Sequence, residues 1–198
     1  MQFPIAYPLT FSFKIVALSP QFSVTDTNGQ VIAYVKQKLF KLKEAVTVFA
    51  DERKTQPLYS INADRILDFS ARYHFATTQG SALGSVKRHG MRSLWRSHYE
   101  IMDGDAVVME INEENPWVKV MDAILDEIPI VGLFSGYVFH PAYLVSRQGG
   151  APVMRLEKQP AFFEGKFKVE KQAQLSETEE QRVLLSLIMM LLLERTRG

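Results

Sequence analysis

The 198-residue chain contains no cysteine. That excludes a disulfide scaffold, thiolate zinc and iron–sulfur ligation, and a cysteine nucleophile. It also fits a reducing compartment, so a cytoplasmic protein is expected. Charge of one sign is equally scarce: 23 Lys and Arg stand against 22 Asp and Glu, a net of +1. Such neutrality argues against a globally basic nucleic-acid binder and against a charged disordered chain. With 11 glycines and 9 prolines, a collagen-like repeat is excluded. Uninterrupted apolar runs are few. Ile128–Val145 is broken by Pro129, Gly132, Gly136, His140 and Pro141, too much punctuation for a membrane helix. At the N-terminus, Pro4, Pro8 and Lys14 interrupt the apolar residues and no basic region precedes them, so no signal peptide is expected. The length suits one large domain, and residues 1–198 are read as one.

What the chain does have is strand pattern. β-branched and aromatic residues alternate with polar ones between turn residues. The runs are Phe11–Ile15, Phe22–Thr25, Val31–Lys38, Ala45–Ala50, Leu58–Ala63, Arg72–Thr77, Leu83–Arg88, Leu94–Met102, Val107–Asn112, Ala142–Ser146, Val153–Glu157 and Lys166–Glu170. Asn28-Gly29 predicts a tight hairpin turn into the third run. About a dozen short strands at this spacing predict a sandwich or barrel.

Two helices are expected as well. Asn115-Pro116-Trp117 opens the first, over about 115–128, with Lys119, Asp122 and Asp126 giving it a polar, surface-facing side. The second spans about 176–195. Ser176-Glu177-Thr178-Glu179 is a capping box, and ten of the eleven residues from Val183 to Leu193 are apolar. Eleven helical residues reach about 16 Å, too short to cross a bilayer, and being apolar all round they need protein on every side. A closed antiparallel sheet of a dozen strands has a void wide enough to take such a helix. The favoured fold is therefore mainly β: about twelve antiparallel strands in a barrel around a central C-terminal helix. The alternative is a sheet with that helix packed on one face.

Several segments carry a resemblance. Tyr34-Val35-Lys36-Gln37-Lys38-Leu39-Phe40-Lys41-Leu42-Lys43-Glu44 is similar to the early segment of LURP-one-related proteins. So are the block from Gly132 to Tyr143, Phe162-Phe163-Glu164-Gly165-Lys166-Phe167, and the ending Leu193–Gly198. The resemblance covers about Val31 to Gly198 and implies the fold shared with phospholipid scramblases and the Tubby C-terminal domain, twelve strands around a hydrophobic helix. It implies no catalytic activity, and most LURP-one-related proteins have no established one. Scramblase features do not carry over. The palmitoylated cysteines are missing, and Val169–Leu175 lacks the paired acidic ligands of a calcium loop.

Candidate chemistry is sparse. His74, His89, His98 and His140 show no helical metal motif. His98 and Glu100 share one strand face at i,i+2, but no third ligand is visible, so a solvated pair and no metal or other cofactor are expected. Gly132-Leu133-Phe134-Ser135-Gly136 has the wrong spacing for a nucleophile elbow, and Gly80–Ser85 lacks the lysine of a phosphate loop. Both read as turns, no carboxylate spacing selects a catalytic pair, and no enzyme is expected.

Charge placement gives more. Lys87, Arg88, Arg92 and Arg96 make Ser81–Tyr99 +4, whereas Glu100–Glu127 holds nine acids and only Lys119. A second cluster is Lys36, Lys38, Lys41 and Lys43, with Lys36 and Lys38 on one strand face. Lys87, Arg88, Arg92, Arg96, Lys36 and Lys38 are the candidate ligands for anionic phospholipid headgroups, worth about 1 kcal/mol each near such a surface. The competing reading is a solvated face paired with the acidic stretch. Trp95, amid these cations, is expected in the core. The functional expectation is thus a non-catalytic binding module, peripheral at a membrane. A protein partner is the alternative, and nucleic acid is a remoter one.

Overall fold

The computed structural model describes residues 1, 3–14, 21–36, 45–65, 71–89, 98–114, 141–160 and 164–195. Twelve strands follow one another: β1 (Leu9–Lys14), β2 (Gln21–Thr25), β3 (Val31–Lys36), β4 (Val46–Phe49), β5 (Pro57–Ala63), β6 (Arg72–Thr77), β7 (Ala82–Arg88), β8 (His98–Asp103), β9 (Ala106–Glu113), β10 (Ala142–Arg147), β11 (Pro152–Gln159) and β12 (Glu164–Lys171). A helix, α1 (Glu177–Arg195), ends the order. Each strand pairs antiparallel with its sequence neighbours, and β1 pairs with β12, closing the barrel. The twelve strands match the twelve runs of the sequence. The first helix (115–128), Trp95 and the Gly132–Gly136 segment lie outside the described residues.

Alternation sets the inward face. Leu9, Phe11 and Phe13 of β1, Phe22 and Val24 of β2, Tyr99 and Ile101 of β8, and Met109 and Ile111 of β9 point inward and are buried, while the residues between them face out. Outward positions such as Thr10, Ser12, Lys168 and Glu170 are polar, so the barrel is apolar inside and polar outside.

The helix fills the interior. Strands about 4.8 Å apart and tilted about 40° close, at twelve, on a radius of roughly 12 Å. A helix with its side chains takes roughly 5–6 Å of that, leaving room for one layer of strand side chains. Val183, Leu184, Leu185, Leu187, Ile188, Met189 and Met190 are all fully buried, which settles the arrangement in favour of the central helix. The capping box forms as expected. The Ser176 amide donates to Glu179 Oε2 at 2.9 Å, and the Glu179 amide donates to Ser176 Oγ at 3.3 Å. Arg147 Nη2 meets Glu179 Oε1 at 2.8 Å and ties this cap to β10.

Burial runs further along α1 than the apolar run alone predicts. Arg182 is only 5% exposed; its Nε donates to the Leu83 carbonyl at 2.6 Å and its Nη2 pairs with Asp103 at 2.7 Å. Glu180 is buried against Lys171 Nζ at 2.5 Å. Gly84 makes room for the Arg182 contact. Its φ is +120°, and a Cβ there would collide with the Met102 carbonyl oxygen and lie 2.5 Å from Arg182 Nε. One turn differs from expectation. Asp26–Gln30 is a five-residue loop in which Gly29 alone takes positive φ. Asp26 Oδ1 accepts from the Asn28 and Gln30 amides, both at 2.8 Å, and this carboxylate sets the loop length.

Candidate functional site

A twelve-strand meander has two rims, and the C-terminal ends of the odd strands share one of them with the N-terminal ends of the even strands. Lys14, Lys36, Lys87, Arg88 and His98 all belong to that rim by strand position. The described members of both basic clusters are therefore at the same end of the barrel. They are not adjacent. β3 and β7 are four strands apart, roughly 19 Å along the sheet.

Their orientations differ too. Lys36 is exposed and outward, since its neighbour Val35 is buried. The register aligns Lys14, Gln21 and Lys36 across β1, β2 and β3, so two lysines stand in one outward row. Neither forms an ion pair with a described residue. The grouping with Lys14 is invisible in the sequence, where the two lysines stand 22 positions apart. Lys87 faces outward opposite Glu100. Arg88 does not. Its side chain is 17% exposed, lies 3.9 Å from Glu194 Oε1 and sits over the Tyr99 ring, 5.9 Å from the centroid. It stands against the last turn of the helix, at the edge of the core. Lys38, Lys41, Lys43, Arg92 and Arg96 lie outside the described residues.

The outer face of β7, β8 and β9 gathers a second group. His98 and Glu100 share this face as the sequence implies, and the register sets them opposite Asn112 and Glu110. His89, one residue past β7, supplies what the sequence reading lacked. Its amide donates to the His98 carbonyl at 3.0 Å, and its ring Nδ1 lies 3.1 Å from Glu100 Oε1. The signal was present in the hairpin: once Arg88 pairs with Tyr99, the next pair outward is His89 with His98.

Away from the rim, an open cleft of about 530 Å³ is lined by Phe3, Ile5, Asp26, Gln30, Asp51 and Gln56 among others. Its carboxylates hold turns: Asp51 Oδ2 accepts from the Thr55 amide at 3.1 Å, Thr55 Oγ1 at 2.8 Å and the Gln56 amide at 3.2 Å. No described helix is long and apolar enough to cross a membrane.

A family model described as LURP-one-related matches residues 31–170. The chain belongs to the LURP-one-related family. The match runs from β3 into β12, so the family segment supplies most of the barrel wall, while β1, β2 and α1 lie outside it. A solved X-ray structure of a protein from Arabidopsis thaliana superposes with a TM-score of 0.51 at 15% identity, covering 96% of this chain and 92% of that one. At that identity the likeness speaks to the fold. Among curated proteins there is no sequence match.

Proposed function

We propose that this LURP-one-related barrel is a non-catalytic binding module whose basic rim docks on anionic phospholipid headgroups, peripheral to the cytoplasmic side of a membrane. The observation that carries the reading is the outward row Lys14–Gln21–Lys36 across three adjacent strands. Two ammonium groups without described carboxylate partners suit phosphate or carboxylate headgroups, each cation contributing about 1 kcal/mol at an anionic surface. Lys87 adds a third outward cation farther round the same rim. Non-catalytic action fits the interior, because α1 occupies the volume where a barrel of this size would otherwise hold a ligand.

Flotation with phosphatidylcholine vesicles, with and without phosphatidylserine, tests this at low and physiological salt. Binding is expected on the phosphatidylserine vesicles alone and weakens as salt rises. The Lys14→Ala, Lys36→Ala double variant loses about 30-fold in affinity, the equivalent of two contributions of about 1 kcal/mol. No flotation on phosphatidylserine vesicles overturns the reading and turns the search to a protein partner.

A further inference from the structure

We propose that His89, His98 and Glu100 form a binding site for a divalent transition-metal ion of the zinc class. Each residue offers one ligand atom, and the three atoms lie within 4.8 Å of one another on the outer face of the β7–β8 hairpin. Two imidazoles and one carboxylate are a donor set suited to zinc, with a fourth position left for water. Donors around a tetrahedral zinc sit roughly 3.3 Å apart, given bonds of about 2.0–2.1 Å. Closing from 4.8 Å asks only for side-chain rotation, and the 58% exposed His89 side chain has room to turn once its 3.1 Å contact with Glu100 is exchanged for the ion.

The backbone already fixes the pair. The amide of His89 bonded to the carbonyl of His98 sets the two rings side by side, their centroids 5.5 Å apart. Glu100 follows His98 by two residues on the same face. Behind the ligands stands the support that a metal-binding histidine ordinarily has. Asn112 Oδ1 lies 2.5 Å from His98 Nδ1. That oxygen only accepts, so Nδ1 carries the proton and Nε2 keeps its lone pair for an ion. Glu110 in turn accepts from Asn112 Nδ2 at 3.5 Å, and this holds the amide with its oxygen towards the histidine. Two carboxylates outnumber one ammonium at the site: Glu100 and Glu110 face each other across β8 and β9 and favour a cation, against the single Lys87 opposite Glu100 on β7.

Isothermal titration of the metal-stripped full-length protein with Zn²⁺ provides the test. One ion per chain is expected. His89→Ala and His98→Ala each weaken binding at least tenfold, Glu100→Gln does the same, and His74→Ala, on the neighbouring strand β6, leaves it unchanged. Asn112→Ala weakens binding about tenfold or more without removing a ligand, acting through the orientation of His98. Substitution with Co²⁺ gives the visible absorption of a four-coordinate nitrogen–oxygen site, lost in His98→Ala. Circular dichroism confirms that each variant is folded. Absence of stoichiometric Zn²⁺ binding overturns the proposal, as does binding that survives the His89→Ala, His98→Ala double variant; either result leaves these three residues a hydrogen-bonded cluster on the barrel surface. Vesicle binding is a separate readout, and its failure does not bear on the metal.

Discussion

The Tyr99 phenol donates to Glu194 Oε1 at 2.5 Å, linking the start of β8 to the last turn of α1 across 95 positions of sequence. Burial raises the Tyr99 phenol well above its usual value, and the Glu194 carboxylate adds to the shift. Arg88 completes the group from β7. A raised folded value means that the stabilisation is fully present below the unfolded tyrosine value, about pH 10, and is lost as pH climbs beyond it. Tyr99→Phe is expected to cost about 1–2 kcal/mol at pH 7 and to flatten the loss of stability above about pH 10. Urea titrations at pH 7 and 10.5 check both. Arg88→Ala lowers stability as well, because the cation stands against the helix end and not at an open surface. An Arg88→Ala protein as stable as wild type would contradict its inward placement.

Gly84→Ala places a methyl group against the Met102 carbonyl and Arg182 in a backbone conformation that L-residues avoid. A loss of about 2 kcal/mol or more is expected, from strain of about 1–3 kcal/mol together with displacement of the buried guanidinium. Chemical denaturation measures it. Wild-type stability in the Gly84→Ala protein would mean that Arg182 does not occupy this contact.

Leu187 has no exposed surface and sits midway along α1. Leu187→Asp sets a lone charge among apolar side chains, at a cost of about 4 kcal/mol or more against a typical domain stability of about 5–15 kcal/mol. Loss of the cooperative thermal transition is expected, while Leu187→Met changes stability by less than about 1.5 kcal/mol. A soluble, cooperatively folded Leu187→Asp protein is incompatible with a helix enclosed by the barrel.

The Glu179 carboxyl is held below its usual range, first by the Ser176 amide and then by Arg147 against the opposing effect of partial burial. A depressed folded value gives stability that is present above about pH 4.5 and lost as pH falls through the lowered value. Glu179→Gln keeps a capping box but loses the charge, so it is expected to cost about 0.5–1 kcal/mol at pH 7. Its stability then changes less than that of wild type between pH 5 and about pH 3. Identical acid profiles for the two proteins would remove Glu179 as a contributor.

The local elements were legible residue by residue. Alternation in Phe11–Ile15 or Val107–Asn112 marks strands because a pleated chain exposes every second side chain, and Ser176 with Glu179 marks a helix start because both satisfy amides that the helix leaves open. Arg88 shows where that reading stopped. A charge at a strand end reads as outward, yet its parity with Val86 turns it inward, and burial is tolerated only because Glu194 and Tyr99 arrive from elsewhere in the chain. Arg182 is similar, since its partners Leu83 and Asp103 come from β7 and β8.

The strands, the capped helix and the need to enclose that helix are written into the order of residues, because they follow from periodicity, from local amide satisfaction and from the cost of wetting an apolar surface. Which side chains meet is a property of the assembled barrel. Lys14 joins Lys36, Arg88 turns to Glu194, and His89 lies beside His98 and Glu100. Register and closure between strands fix those encounters, and a register belongs to paired strands and is carried by neither strand alone.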